Sequence, residues 1–535
     1  MKKVSVILIV FAFLGAGCSK DFLSSLQDNP NAPTTGVATP ALVLPGTISA
    51  IVNVINGPVN GSGGVGSYEY PAVWLGYWNY APGYSFNPNP QNYIVNSSTP
   101  QVWNQYYGAL SNLNFIVQQS EGVVKYSNYH GIANILESVC FKNLVDIYND
   151  VPYSQALKAQ GNFYPNYDKG SDVYDSVVLK LDAAMAELQA NEGNLAVDLP
   201  TTDDILFGGD LASWILYANS VKLSMLVQQS NVTAKAAFLA SEASNTASIG
   251  YLTTDALVNP GYSTSLPSPS WANFGISPSG ALNNYFTYVK GNQGSIDFYK
   301  ATTDQRLGYI YSKADAAPTD PDFFSPSLPI NKTLYQADYT GTQNQVPGGV
   351  SGIGPGIMKS ASAGAPFMTA AESYFWQAEA VLYGWLPGGA AGAKVLYEKG
   401  ITASYEYLGV GGDAATADTW AAAYINQGGV GYVAFPVGAS LDSLDHTIIY
   451  QRWAALNSIN NYVAYNDWRR TFSAAINSGY PAVPYSVSTS VTAPHMPFRF
   501  PYPLSEINNN NAAWTAAGGP AVATDPYNSK IFWMP

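Results

Sequence analysis

The chain has 535 residues, enough for a large buried core. Charged residues make up only 11% and aromatic residues 13%, with 39 Tyr and 12 Trp, so it is too apolar and aromatic to be disordered. A net charge of −13 and no basic run exclude a nucleic-acid partner, because such a chain repels phosphate backbones.

The chain opens with Lys2-Lys3, an apolar run over Val4–Leu14 and the small residues Gly15-Ala16-Gly17. That order is a secretion signal over residues 1–17, and its apolar run is too short to span a bilayer. Cys18 follows at once, placed where a bacterial lipoprotein is cut and its thiol acylated. Cys140 is then left without a disulfide partner and reads as a small buried hydrophobe on a helix with Ile132, Ile135, Leu136 and Val139. Residues 18–45, rich in Asn, Pro, Thr and Gly, read as anchor and tether.

Helical periodicity then comes in pairs. Trp103–Gln119 is followed by Gly131–Tyr148, and Asp172–Gln189 by Leu211–Gln229. Thr369 and Glu372 have capping-box spacing ahead of the stripe Ala371, Tyr374, Ala378 and Leu382, which Phe367 is expected to join. Pro387-Gly388-Gly389 break that helix, and Ala390–Leu408 begins its partner. The small residues Ala371 and Ala378 let the partner approach closely. Two more helical stretches lie around Asp445–Ile459 and Ala464–Phe472. Repeated helix pairs of this size predict a mainly α, tetratricopeptide-like array with little β structure.

Long segments near 57–100 and 249–365, with the tail 479–535, lack that periodicity and are dense in Gly, Pro, Asn and aromatic residues. Loops of such length are usually functional. Trp74, Tyr77, Trp78, Asn79, Tyr80 and Tyr84 put flat rings beside an amide in one short segment, and Trp271, Asn273 and Tyr285 form a second set. Flat rings pack on the C–H faces of sugars while amides bond their hydroxyls. The same residues could instead cover the scaffold, since large aromatics are mostly buried.

Catalysis finds little support. Glu372 and Glu379 sit about 10 Å apart along one helix axis, at the edge of the inverting-glycosidase range, and each is better placed to bond a neighbouring helix. Asp203-Asp204 read as helix caps. His130, His446 and His495 lack metal-ligand spacing, and no G-x-S-x-G elbow occurs. Gly61–Gly66 fits G-x-G-x-x-G by letter, but without a βαβ pattern it reads as a loop. Asp315, Asp320 and Asp322 could hold a structural Ca²⁺, though a solvated acidic turn fits their spacing better. No cofactor is expected.

Several stretches resemble one family in the right order along nearly the whole mature chain. They are Asp28-Asn29-Pro30-Asn31, Tyr148–Tyr153, Pro165–Asp168, Trp214–Leu226, Asp304-Gln305-Arg306, the Ala371–Trp385 helix with Tyr397–Ile401, Tyr450–Trp453, Trp468-Arg469-Arg470 and Pro497–Pro503. Together they resemble the SusD/RagB-like outer-membrane lipoproteins, in the SusD-like and SusD-like 2 branch. The resemblance implies one SusD-like domain over 46–535, built as a helical superhelix. It implies lipidation at Cys18, and Ser19-Lys20-Asp21 resembles the signal that sends such lipoproteins to the cell surface. It implies a non-catalytic protein that binds a glycan and delivers it to a SusC-like TonB-dependent transporter at the outer membrane. Two alternatives stay open: an oligopeptide or other nutrient as ligand, or a scaffold that binds no small ligand. The scaffold predicts that the aromatics of 74–84 and 271–288 are buried.

Overall fold

The computed structural model of the protein describes residues 38–56, 68–81, 89–99, 102–158, 161–320, 322–324, 330–337, 349–482 and 491–535. The leader, Cys18, most of the tether, the Gly61–Gly66 run and Tyr84 lie outside those residues.

The first described element corrects the tether boundary. Helix α1 (Pro40–Ile55) starts inside it, with Thr39 capping the Leu42 N–H and Pro40 in the first turn. Leu44, Ile48, Ile51, Val52 and Ile55 recur at helical spacing and are buried. Pro45 sits inside the helix and interrupts the pattern without ending it.

The short α2 (Glu69–Trp74) and strand β1 (Trp78–Tyr80) come next. The expected helices then follow: α3 (Trp103–Ser120), α4 (Ser127–Tyr148), α5 (Gly170–Ala190) and α6 (Leu211–Gln228). Each packs on the next, and α1 packs on α3. Gly131 on α4 sets the approach of α5, since a Cβ there would come within 2.7 Å of Leu188. Asp203 and Asp204 do not cap α6. Asp210 does, while Asp204 accepts from the Leu206, Phe207 and Gly209 N–H groups and from the Trp214 indole.

After α7 (Ala236–Thr246), the loop-rich middle contains β2 (Ala256–Val258), α8 (Pro269–Phe274), α9 (Asn284–Tyr288), β3 (Val289–Gly291), α10 (Gln293–Ala301), α11 (Leu307–Ile310) and β4 (Ala365–Met368). Two antiparallel two-stranded pairs, β1 with β3 and β2 with β4, tie these loops to the scaffold. Phe367 therefore lies in a strand and not on the helix that follows it.

The scaffold resumes with α12 (Ala370–Leu382), α13 (Gly389–Leu408), α14 (Ala414–Ile425), α15 (Leu441–Leu456) and α16 (Asn461–Arg470). Helix α12 packs on α6, α13 and α15, which joins the two halves of the array. Ala371 and Ala378 are buried as expected, and Gly400 admits the Phe375 ring, which a Cβ would meet at 2.7 Å. Only half of the capping box forms. Thr369 accepts from the Glu372 N–H, but the Glu372 carboxylate turns to Asn460.

The tail carries three short helices, α17 (Leu504–Asn509), α18 (Asn511–Ala516) and α19 (Gly519–Thr524), and closes the N-terminal repeats. Trp533 is fully buried with its indole on Asp146, the Phe532 N–H donates to the Asn149 side chain, and the Tyr502 hydroxyl donates to the Asp150 carbonyl. Among the described residues no helix is long and apolar enough to cross a membrane.

Candidate functional site

The two aromatic segments, about two hundred residues apart, meet in space. Residues Trp78, Asn79 and Tyr80 pair with Gly291, Lys290 and Val289, and the Ala81 N–H donates to the Tyr288 carbonyl at 2.7 Å. The Trp78 ring meets Phe274 edge-on at 5.5 Å.

At this junction the two sets divide. Trp74, Tyr77, Trp78, Asn79 and Tyr80 are all buried. The Trp74 indole donates to the Pro90 carbonyl, and its ring packs on Tyr70, Tyr465 and Phe500. Tyr77 stacks on Trp453 and donates to that residue's carbonyl at 2.7 Å, and Trp78 donates to Ser458 Oγ at 2.8 Å. Fixed in this way, none of the three presents a ring face to a ligand. This corrects the expectation that they touch one: their rings are taken up by the core. Asn273 is buried too, and Tyr84 lies outside the described residues.

The rings of the second set stay at the surface. Trp271, Tyr285 and Tyr288 are half-buried. The Trp271 ring stacks on Phe324 at 5.7 Å and 27°, and its indole donates to the Ile276 carbonyl at 3.0 Å. Gly275 leaves room for that ring, which a Cβ would meet at 2.5 Å. Tyr285 and Tyr288 pack together at 5.1 Å, and Asn283 bonds the Trp271 and Ala272 carbonyls, linking α8 to α9. Phe324, 38% exposed, joins this rim through Phe323 and Phe286. Phe324 has no sequence signal of its own, since it follows the acidic turn at Asp320 and Asp322 and belongs to no periodic stripe. In the fold Asp320 caps the Ala317 N–H, and among the described residues no three His, Cys, Asp or Glu side chains come together in a way that could hold a metal.

Beneath the rim lies Glu69, fully buried beside the Tyr80 hydroxyl, and burial pushes its carboxyl up to about 8. The rim offers neutral aromatic faces and amides, a set suited to binding.

A model of the SusD-like 2 family, described as starch-binding and associating with the outer membrane, matches residues 68–503. The chain belongs to the SusD-like family. Solved SusD homologues share its fold over nearly their whole lengths. One from Bacteroides fragilis is 21% identical, with 93% of this chain and 99% of that one covered and a TM-score of 0.68. A chitin-binding SusD homologue from Flavobacterium johnsoniae is 22% identical, with 92% and 98% covered and a TM-score of 0.69. Another, from Bacteroides uniformis, is 20% identical, with 92% and 99% covered and a TM-score of 0.66. No curated protein matches the chain significantly.

The SusD-like scaffold also holds a small cavity of about 50 Å³ between α4, α6, α12 and α16, whose polar lining includes Lys142, Asp146, Glu372, Asn460 and Asn466. Lys142 and Asp146 pair at 2.8 Å, and Asn466 donates to Asp146. Burial pushes the Glu372 carboxyl up to about 7, against the opposing pull of Lys142, the Asn460 hydrogen bond and Arg452. An unfolded carboxyl titrates near 4.5, so between those values the native chain holds a proton that the unfolded chain has lost. Stability from this group therefore falls as pH rises from about 4.5 through about 7. Relative to Glu372→Gln, the wild-type unfolding free energy should drop by roughly 3 kcal/mol between about pH 4 and about pH 8. Urea unfolding of both proteins across that range checks it, and a pH-independent difference would refute it.

Proposed function

We propose that this SusD-like protein is a cell-surface lipoprotein, anchored through Cys18, that captures glycans and hands them to a SusC-like TonB-dependent transporter without cleaving them. The observation that carries this reading is the half-buried rim of Trp271, Tyr285, Tyr288 and Phe324, held by β1–β3 pairing on a rigid helical scaffold. Ring faces stack on sugar C–H faces, and the β1–β3 pairing with the Asn283 hydrogen bonds fixes their orientation before the ligand arrives. Such preorganisation lowers the ordering cost of binding. Membership of a family described as starch-binding and associating with the outer membrane, and likeness to a chitin-binding SusD homologue, agree with a glycan as ligand.

The test is calorimetry on the full chain in detergent, against plant, host and microbial oligosaccharides and a peptide mixture. Binding of at least one saccharide is expected, and Trp271→Ala should weaken it about tenfold or more, the scale of a lost stacking contact and its buried area. Peptide binding alone would move the ligand class to oligopeptides. Saccharide affinity unchanged in Trp271→Ala would remove this rim as the site.

A further inference from the structure

The Asp304-Gln305-Arg306 turn, counted above only as a family mark, has two sides. Asp304 and Arg306 point inward and are fully buried as an ion pair at 2.7 Å, with Gln451, Ser404 and Tyr405 completing their hydrogen bonds. The residues between and beside them, Thr303 and Gln305, point outward. Thr303 adopts φ 57°, a left-handed turn that throws the alternation into register. Thr303 and Gln305 form one side of an open cleft of about 340 Å³, and Trp420, Ala423, Tyr424 and Gln427 of α14 and its C-terminal end form the other.

The chemistry of this cleft is specific. Among the described residues its lining carries no charged side chain. A cleft at the junction of α15 and α16 holds Asp442, Asp445, His446 and Arg470, and the small cavity beside α4 holds Lys142, Asp146 and Glu372. An ionic ligand would favour either of those. Here a half-buried indole, Trp420, stands beside two amides and a hydroxyl. Gln305 accepts from the Ile330 N–H through Oε1, which fixes the amide while its Nε2 group makes no bond to the described residues. The floor is equally fixed. The Tyr424 hydroxyl accepts from Gln451, and its ring lies 5.5 Å from the Arg306 guanidinium. A mostly apolar, preformed cleft with a few oriented neutral polar groups, near the lower end of roughly 300–1,000 Å³, has the makeup of a small-ligand site.

We infer that this cleft is a second saccharide site, taking a neutral sugar unit with its C–H face on Trp420 and its hydroxyls on Gln305, Gln427 and Thr303. The inference rests on the glycan reading above but concerns different residues, none of which lies in the aromatic rim. It gives the protein two points of attachment to one ligand class, so binding of a long or multivalent glycan gains from effective concentration.

Fluorine NMR on the full chain in detergent, labelled with 5-fluorotryptophan, separates the sites. The 12 Trp resonances include those of Trp420 and Trp271, each assigned by its loss in a Trp→Phe variant. Titration with neutral malto-, xylo- and chito-oligosaccharides should shift the Trp420 resonance saturably, and that shift should persist in Trp271→Ala. Gln427→Ala should weaken the Trp420 response severalfold and leave the Trp271 response unchanged. If Trp271 responds and Trp420 stays still, the second site is refuted and the glycan reading stands. If neither responds to any saccharide, both fail. A Trp420 shift produced only by charged sugars or peptides would also overturn the assignment.

Discussion

Glu379→Ala should destabilise the protein by about 3–5 kcal/mol, the cost of stranding buried charge. Glu379 sits on α12 with no exposure and accepts from Arg452 of α15 and Arg470 of α16. Those two arginines also share Asp467, with Arg452 gripping it through two bonds of 2.6 Å and Arg470 through one of 2.9 Å. Two positive and two negative groups thus balance in the interior, and the Arg452 guanidinium lies over the Trp376 ring, 3.7 Å from its centroid. Burial alone would raise the Glu379 carboxyl, yet the two arginines hold it below its usual range. Removing that carboxylate leaves two buried guanidiniums sharing Asp467. Urea unfolding of Glu379→Ala against wild type checks this, and a loss under about 1 kcal/mol would mean the network relaxes or hydrates freely. Because Glu379 ties α12 to both α15 and α16, the variant should also loosen the docking of α16, visible as faster amide exchange there.

Trp74→Ala should cost about 3–5 kcal/mol of stability while leaving saccharide affinity of the folded protein unchanged. Its ring is completely buried and touches Tyr70 of its own helix, Tyr465 of α16 and Phe500 of the tail at 5.2–5.6 Å. Three segments distant in sequence lose a shared contact, and the Pro90 carbonyl loses its indole donor. Trp271→Ala should do the reverse, with a small change in stability and a large one in binding, since that ring is only half-buried. Thermal melts and calorimetry of the two variants side by side decide the matter. Lost binding with an unchanged melt in Trp74→Ala would put that ring back in the ligand site.

The contrast between these two tryptophans shows where sequence reading stops. Both lie in loop-rich segments beside amides, and both could serve a sugar. Nothing within several residues of Trp74 marks it as interior. Its neighbours Tyr465 and Phe500 stand about four hundred positions away, and Trp78 owes its burial to Tyr68, Phe274 and Ser458. Helix α1 was legible in principle, from Thr39-Pro40 and the Leu44, Ile48, Val52, Ile55 stripe, but Pro45 hid it. Phe324 and Trp420 carried no local signal, since a lone aromatic in a loop or on a short helix has no period to read.

The sequence by itself determined the helical array, its helix pairs and the family, because these follow from spacing within about twenty residues and from short motifs. It also placed Glu379, Arg452 and Arg470 in their helices. Only the tertiary structure decided which aromatics face solvent, which acids bond which arginines, and that Thr303 and Gln305 meet Trp420 across a cleft. Those outcomes depend on contacts between segments separated by tens to hundreds of residues, and burial is a property of the assembled surface that no local window contains.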